Sequence, residues 1–211
     1  MVTTAVSLIF AMGILWLFMR PGNGELDMAR KRPLTEVVTD PVTALLGREH
    51  MLMRAEQEVS RVLRREDRAG VNAMAGCIMV DLDHFRQLND KHGNTAGDEV
   101  LREMARRLNT SVRHYDLVGR HGGEKFMVLL PDGDFESTLV VAKRIWKGVR
   151  NKPFSADRRK ISATVSLGFA CVESGDEGAR NVVSRAERAL RRARDSGRDQ
   201  LVWLQKNCRR D

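Results

Sequence analysis

Aromatic residues are scarce in this sequence, and its cysteines and histidines do not form the patterns that mark metal sites. Aromatic residues make up 5% of the 211 residues, with a single tyrosine. The three cysteines, Cys77, Cys171 and Cys208, have no metal-ligand spacing, and their odd number leaves at least one unpaired. Cys77 and Cys171 lie in apolar, strand-like runs, so we expect buried, reduced thiols. The five histidines form no ligand cluster either.

Acidic residues are too few to balance the basic ones. Lysine and arginine number 36 against 28 aspartate and glutamate, which gives a formal net charge of +8. This excess predicts an anionic partner, which can be nucleic acid, nucleotide phosphates or an acidic membrane surface. We expect no nucleic acid, because the chain has no recognised binding motif and no aromatic residues interleaved in its arginine-rich segment. With 42% hydrophobic residues, the chain can bury one good-sized core.

An apolar run at residues 2–19 is just long enough to cross a bilayer as a helix. A cleaved secretory signal is the alternative, but no basic residue precedes the run and no small-x-small cleavage pattern follows it. We therefore predict a single-pass anchor at residues 1–20 in the inner (cytoplasmic) membrane. The positive-inside rule then places the rest of the chain in the cytoplasm, because basic residues follow the run at Arg20, Arg30, Lys31 and Arg32.

The remaining chain is predicted to be a short linker followed by one domain. Residues 21–38 are rich in proline and glycine and are too few for a sensory domain. Helical apolar stripes follow from Thr43 and over residues 97–112, 136–149 and 182–193, whereas strand-like runs occupy residues 76–82, 161–172 and 201–204. Helices interleaved with strands and one adjacent hairpin predict a mixed sheet covered by helices.

That hairpin is predicted at Gly122 and Gly123, which separate two apolar runs. Both glycines accept positive φ angles and match the twist of the flanking strands. They also leave backbone free of side chains, so that a phosphate can approach the N–H groups. Glu124 follows directly. A lone Gly-Gly-Glu sequence is usually a plain surface hairpin, so the interpretation depends on a second acidic stretch.

The second stretch, residues 77–85, is predicted to be a short buried strand that ends in two carboxylates, Asp81 and Asp83. Carboxylates at a strand end, beside an acid on a glycine hairpin, can hold hard divalent cations, which take oxygen ligands and phosphate. Asp83 and the nearby Asp90 have an equally good interpretation as residues that cap or solvate a loop.

Together the two stretches resemble the GGDEF family, the diguanylate cyclases that join two GTP molecules into cyclic di-GMP. The resemblance covers roughly residues 38 to 205 and implies an α/β (α+β) fold of the nucleotide-cyclase and polymerase-palm kind, with a mixed five-stranded sheet flanked by helices. We assign the domain to residues 39–206 and a tail to residues 207–211. The motifs that carry the resemblance occur in the family's order: Asp40-Pro41-Val42-Thr43-Ala44-Leu45, Asp81-Leu82-Asp83-His84-Phe85-Arg86, Asn89-Asp90, Gly93, Gly97-Asp98, Gly122-Gly123-Glu124-Lys125-Phe126, Thr164-Val165-Ser166-Leu167-Gly168 and Ala193-Arg194-Asp195-Ser196-Gly197-Arg198.

The resemblance also implies roles for individual residues. Asp81 and Glu124 would be catalytic and would hold Mg²⁺ (or Mn²⁺), helped by the carbonyl of Leu82. The guanine would be read by Asn89 and Asp98. The triphosphate would lie against the hairpin glycines and be clamped by basic side chains, which gives the set Gly122, Gly123, Arg86, Arg194 and Arg198. Each protomer would bind one GTP, so the resemblance implies a homodimer.

Arg113 and Asp116 stand where family members carry an arginine-x-x-aspartate inhibitory site that binds the product. Arginine makes bidentate contacts to phosphate or a guanine edge, and aspartate accepts from guanine N–H groups. A four-residue pattern is common by chance, so its spacing before Gly122 carries this interpretation.

Lys125 is the departure that matters, because the family normally has glutamate at this position of the signature. An ammonium near the metal site would repel Mg²⁺ by about a few kcal/mol at short range. Strict strand alternation places Lys125 and Glu124 on opposite faces, so Lys125 can also avoid the metal or approach the triphosphate. Two hypotheses remain: a membrane-anchored diguanylate cyclase with product inhibition, or a catalytically impaired GGDEF protein that acts as a receptor for cyclic di-GMP or GTP.

Overall fold

The computed structural model describes residues 38–69, 74–173 and 175–205, without the side chains of residues 66–69. The predicted anchor, most of the linker and the predicted tail lie outside the described residues, and the predicted domain boundaries stay predictions. In the described part of the chain the elements follow in the order α1 (Arg48–Ala69), β1 (Gly76–Leu82), α2 (Phe85–His92), α3 (Asn94–Ser111), β2 (Leu117–Gly122), β3 (Lys125–Leu130), α4 (Phe135–Arg150), β4 (Phe154–Ala156), β5 (Arg159–Ile161), β6 (Val165–Cys171), α5 (Ala179–Asp195) and β7 (Leu201–Trp203).

Five of the described strands form one mixed sheet in the order β2-β3-β1-β6-β7. The central strand β1 pairs antiparallel with β3 and with β6, and β2 pairs antiparallel with β3. The edge strand β7 runs parallel to β6, while β4 and β5 form a separate hairpin. The predicted mixed five-stranded sheet flanked by helices is therefore confirmed.

Apolar side chains cover both faces of the sheet, and all seven residues of β1 are buried. Alternation sends Ile78 and Val80 into a cluster with α3 and α4, whereas Cys77 and Met79 join a cluster with α1 and α5. Asp81 continues the second set, since it lies two residues beyond Met79. Because side chains alternate along β1, the carboxylate of Asp81 is buried on the face of the sheet that α5 covers.

Helix α5 packs closely on β6 because Gly168 has no side chain. A Cβ atom at Gly168 would collide with the backbone of Ala186, Ala189 and Leu190. A glycine at this point of close approach lets the helix backbone rest against the sheet. The contact fixes the C-terminal half of α5, which ends beside Asp81.

Several elements differ from the sequence expectation, among them helix α2, the start of helix α1 and the run 161–172, which is divided between β5 and β6. Helix α2 was not predicted, because it has only eight residues, none of them buried, and only Phe85 and Leu88 pack against the core. Helix α1 begins at Arg48 rather than near Thr43, because Asp40 holds a turn before it. The Asp40 carboxylate accepts hydrogen bonds from the backbone N–H groups of Val42 and Thr43, at 3.2 and 2.8 Å.

The prediction of a single-pass inner-membrane protein was wrong. No helix among the described residues has the length and apolar character needed to cross a bilayer. The longest of them, α1, is amphipathic and carries charged side chains along its exposed side. The predicted anchor depended on the apolar run at residues 2–19 and on the residues that flank it, and that run lies outside the described residues.

The described cysteines are free thiols. Cys77 is fully buried and Cys171 partly so, and burial raises the pKa of both. Their environment therefore agrees with the expected reduced state, because a thiol with a raised pKa is a poor nucleophile at neutral pH.

Candidate active site

A cleft of about 220 Å³ opens where β1 ends beside the β2–β3 hairpin. The hairpin and the start of α2 form its walls, and the C-terminal end of α5 contributes two arginines. The predicted site residues that line it are Asp81, Leu82, Arg86, Glu124, Arg194 and Arg198. The structure therefore brings together side chains that are separated by more than a hundred positions in the sequence.

Asp81 is the most buried acid of this cleft, with 2% of its surface exposed. Burial raises the pKa of Asp81 to about 6, although the neighbouring Arg194 lowers it and the charge of Glu124 raises it further. Arg194 donates a hydrogen bond from Nη1 to Oδ2 of Asp81 at 2.9 Å. One arginine thus offsets only part of the cost of ionising this carboxyl group, and a further cation beside it would favour the ionised form.

The donor set suits a hard divalent cation. Asp81 and Glu124 offer carboxylate oxygens, and the backbone of Leu82 lies between them, with its N–H donating to the carbonyl of Glu124 at 3.3 Å. Among the described residues, no three His, Cys, Asp or Glu side chains are grouped to hold a metal ion by themselves. Mg²⁺ is commonly bound by one or two carboxylates, with water and substrate phosphate completing its shell, so the residues present fit such an ion.

The C-terminal end of α5 positions the two arginines. Gly197 and Arg198 adopt φ angles of 111° and 64°, which end the helix. The N–H of Arg198 donates to the carbonyl of Ala193 at 3.0 Å, so the chain turns back towards the helix end. Basic residues are favourable at this negative end of the helix dipole. Arg194 and Arg198 therefore lie where a phosphate in the cleft would meet them.

Asp83 is a structural anchor. It is 6% exposed, and its carboxylate accepts hydrogen bonds from the hydroxyls of Ser166 at 2.6 Å and Thr164 at 2.7 Å. The N–H of Asp199 donates to it at 3.0 Å. These bonds join the end of β1 to β6 and to the loop after α5, whereas Asp90 is exposed on α2.

Asn89 and Asp98, predicted to read guanine, lie on α2 and near the start of α3, outside the lining of the 220 Å³ cleft. The side chain of Asn89 lies against Gly97, where a Cβ atom would collide with its Oδ1. That oxygen is buried and has no hydrogen-bond partner among the described residues. A buried acceptor without a partner is costly, so it is a plausible contact for a ligand donor.

The hairpin is held by a pair of residues that the sequence did not predict. Arg120 donates from Nη1 to both carboxylate oxygens of Asp40 at 3.0 Å, and from Nε and Nη2 to the carbonyl of Gly123 at 2.9 and 2.8 Å. Gly122 and Gly123 have φ angles of 123° and 55°, which glycine adopts without strain. The turn before α1 and the hairpin tip are therefore joined through one guanidinium.

Lys125 lies directly across from Asp81 in the ladder between β3 and β1. Cross-strand partners share a face of the sheet, so Lys125 points to the side of Asp81 and α5. It lines a neighbouring pocket of about 390 Å³ together with Arg191, Arg194 and Arg198. Lys125 and Glu124 line different pockets, and the register brings Lys125 close enough for its charge to lower the pKa of Asp81.

Arg113 and Asp116 line a third pocket, of about 250 Å³, on a different part of the surface. They close a turn in which the N–H of Arg113 donates to Asp116 Oδ2 at 2.7 Å. The guanidinium of Arg113 donates to the hydroxyl of Tyr115 at 2.6 Å. Arg144 of α4 lines the same pocket and was missed by the sequence, because it belongs to an ordinary amphipathic helix.

Known proteins are similar to this chain in sequence and in fold. A model of the diguanylate cyclase GGDEF domain matches residues 37–200. Diguanylate cyclase A of Treponema denticola is 38% identical over 130 residues, which cover 62% of this chain and 35% of that protein. Diguanylate cyclase DgcP of Pseudomonas aeruginosa is 37% identical over 166 residues, which cover 79% of this chain and 24% of that protein.

A solved structure agrees with these relatives. The crystal structure of the diguanylate cyclase SiaD from Pseudomonas aeruginosa, in complex with its activator SiaC, superposes with a TM-score of 0.70 at 31% identity. The match covers 96% of this chain and 73% of that one. The chain therefore belongs to the GGDEF domain family of diguanylate cyclases. It spans between 24% and 35% of the length of the two curated relatives named above.

Proposed function

We propose that this domain is a diguanylate cyclase, a nucleotidyltransferase that condenses two GTP molecules into cyclic di-GMP and two pyrophosphates. The observation that carries the proposal is the 220 Å³ cleft, in which three arginines meet three carboxylates, two of them, Asp81 and Glu124, assigned to the cation. Such a set matches the charges of a triphosphate and its cation. Relatives that carry the cyclase name support the same activity.

In the proposed reaction, the 3′-hydroxyl of one GTP attacks the α-phosphorus of the other. A P–O bond forms there, the bond to the pyrophosphate breaks, and the hydroxyl proton leaves to a base or to water. Repeating the step in the opposite direction closes the ring. A divalent cation, Mg²⁺ or Mn²⁺, bound by Asp81, Glu124 and the Leu82 carbonyl would stabilise the charge on the reacting phosphate.

The chain's own residues bind and orient the nucleotide in this proposal. Arg86, Arg194 and Arg198 neutralise the phosphates, and Arg194 exchanges its bond with Asp81 for one with phosphate when the nucleotide arrives. The exposed hairpin backbone at Gly122 and Gly123 lets the triphosphate approach closely. Asn89 and Asp98 hold the guanine, for which the unpartnered Oδ1 of Asn89 supplies an acceptor.

The proposal is tested by incubating the purified protein with GTP and either Mg²⁺ or Mn²⁺ and separating the nucleotides by chromatography. We expect cyclic di-GMP to form and Glu124→Ala to abolish it, because no other described acid replaces that ligand. Glu136→Ala, at an exposed position on α4, is the matched control and should retain activity. A Glu124→Ala variant that is folded and fully active would contradict the assigned site.

A second candidate function, a receptor for cyclic di-GMP, is favoured by the pocket that contains Arg113, Asp116 and Arg144. Two arginines and a carboxylate can pair with the phosphates and guanine edges of this ligand. Calorimetric titration should show binding that Arg113→Ala reduces at least tenfold, while the exposed Arg106→Ala leaves it unchanged. Binding of cyclic di-GMP, combined with no product under any cation, would favour the receptor over the enzyme.

A further inference from the structure

Lys125 is a cation that the proposed metal chemistry does not use. Its position on β3 faces Asp81 across the ladder, and its side chain lines the 390 Å³ pocket beside the cleft. Arg194 and Arg198 line both spaces, so these two side chains lie where the pocket and the cleft adjoin. A phosphate chain that reaches Arg194 from the cleft therefore also approaches the Lys125 side of the site.

The pocket around Lys125 has an excess of positive charge. Four basic side chains line it, against the two acids Glu187 and Asp195. Glu187 already accepts a hydrogen bond from His121 Nε2 at 3.1 Å. Lys125 itself forms no ion pair with any residue that the structure describes. An unpaired ammonium in a half-enclosed basic pocket is suited to an anion.

The charge balance of the cleft shows what this ammonium can do for a nucleotide. Without a metal ion, the carboxylates of Asp81 and Glu124 repel a triphosphate, and Arg194 is paired with Asp81. Lys125 supplies one positive charge on the face of Asp81, without needing to leave another partner. It therefore offsets part of the repulsion that a bound cation otherwise removes.

We infer that Lys125 takes over part of the role of a divalent cation in nucleotide binding, so that this domain binds the triphosphate of GTP even without a metal ion. The inference rests on the proposed GTP site. The inference concerns nucleotide binding and not catalysis. Lys125 is a phosphate-binding residue, while the chemical step still requires the cation.

The test is a titration of the full chain with a non-hydrolysable GTP analogue, in EDTA and again in Mg²⁺. We expect the natural protein to bind in EDTA within about tenfold of its affinity in Mg²⁺. Lys125→Met should lose at least tenfold in EDTA, about 1.4 kcal/mol, and less in Mg²⁺. Lys125→Glu should lose more in EDTA and recover most of its affinity in Mg²⁺, since the added carboxylate repels phosphate but attracts the cation.

A second measurement uses Mn²⁺ alone, followed by electron paramagnetic resonance. Lys125→Glu should bind Mn²⁺ more tightly than the natural protein, because the charge beside Asp81 changes by two units. Lys143→Met, an exposed lysine on α4, is the matched control and should change neither titration. Unfolding curves for each variant separate loss of binding from loss of structure.

Three results would overturn the inference. They are no binding of the natural protein in EDTA, equal dependence on Mg²⁺ in the natural protein and Lys125→Glu, and no binding of the analogue under any condition. The last would also remove GTP as the substrate, whereas the first two leave the proposed cyclase intact. Binding in EDTA that Lys125→Met weakens, in a protein that forms no cyclic di-GMP, would uphold the inference and refute the cyclase.

Discussion

At the scale of single residues, Asp81 is a site residue whose burial lowers the stability of the fold when its carboxyl group is ionised. Asp81 lies at the end of a wholly buried strand, and the apolar positions before it carry it beneath α5. Its pKa of about 6 lies above the value for an exposed aspartate, about 3.9. Protonation of Asp81 therefore adds stability at low pH, which is lost as the pH rises from about 4 to 6.

Asp81→Asn should consequently stabilise the metal-free protein near neutral pH. We expect a gain of roughly 1 kcal/mol in the free energy of unfolding at pH 7, smaller than the free energy that corresponds to the whole pKa shift, because solvent beside the partly exposed Arg194 screens the charges at this site. The gain should vanish near pH 4. Urea unfolding at the two pH values measures it, with the exposed Asp90→Asn as control. A variant less stable than the natural protein at pH 7 would show that the ion pair outweighs burial.

Arg120 is the second residue whose role the structure defines, because one guanidinium serves both Asp40 and the hairpin tip. Burial raises the pKa of Asp40, but hydrogen bonds from Thr43 and Arg120 outweigh it and hold this pKa below its usual value. Arg120→Met leaves Asp40 and the Gly123 carbonyl without this donor, and should cost roughly 2 kcal/mol of stability.

Faster amide exchange at the hairpin should accompany that loss, and hydrogen-exchange measurements report both effects. Arg120→Lys should be intermediate, because lysine keeps the charge but not the bidentate fork. Arg106→Met is the control, since its side chain is 73% exposed and pairs only with Glu103 in the described part of the chain. A loss in Arg120→Met no larger than in this control would contradict the proposed link.

At the scale of elements, the position of α5 on β6 decides where Arg194 and Arg198 lie. Gly168→Ala forces a Cβ atom against the helix backbone, which cannot give way as a flexible side chain can. We expect destabilisation by about 3 kcal/mol or more. Nucleotide binding should weaken as well, because the arginines move with the helix.

The matched variant for this prediction is Gly148→Ala on α4, where an added Cβ atom meets nothing within 4 Å. Alanine is a better helix former than glycine, so this change should stabilise by about 0.5–1 kcal/mol. Thermal unfolding of both variants measures the contrast. Equal effects of the two substitutions would mean that β6 and α5 are not held as closely as described.

The elements also show which parts of the fold could be predicted. Helices α3, α4 and α5 have apolar stripes, and β1 is an uninterrupted buried run, so their patterns identify them. Helix α2 fully buries none of its eight residues and offers only Phe85 and Leu88 as a pattern, which is too short to identify it. The pairing of Asp40 with Arg120 joins positions eighty residues apart, and no local pattern reports it.

Some residues of the site could likewise be predicted from the sequence, and others could not. Motif order located Asp81 and Glu124, and the structure places both in one cleft. Alternation placed Lys125 away from Glu124, but its position opposite Asp81 depends on the register between β1 and β3, which only the folded sheet defines. Arg144 joins the pocket of Arg113 through the packing of α4, which the sequence does not encode locally.

At the scale of the whole molecule, the positive charge has a location that agrees with a nucleotide partner. Arginines at the C-terminal end of α5 and Lys125 on β3 surround two neighbouring pockets. Of the net charge of +8, an excess of two lies around the 390 Å³ pocket, where four basic side chains face two acids. Electrostatic attraction of this kind raises the rate of association and weakens with added salt.

The proposed reaction joins two nucleotides, and each protomer is proposed to hold one of them. Two protomers related by a twofold axis would bring the 3′-hydroxyl of each GTP towards the α-phosphate of the other, and the cyclic product has the same twofold symmetry. The rate per protomer should then follow the fraction of protein present as dimer. In the dilute range, doubling the protein concentration should nearly double the specific activity, and the rise should level off as dimer forms.

Initial rates at saturating GTP and Mg²⁺ over a wide range of protein concentration measure this dependence. Analytical ultracentrifugation of the same samples gives the dimer dissociation constant. The concentration of half-maximal specific activity should agree with that constant. Glu136→Ala, the control for the site, should follow the same curve, since it leaves both the cleft and the nucleotide residues intact. Constant specific activity at concentrations where the protein sediments as a monomer would contradict the twofold arrangement, because one protomer would then be completing the reaction alone.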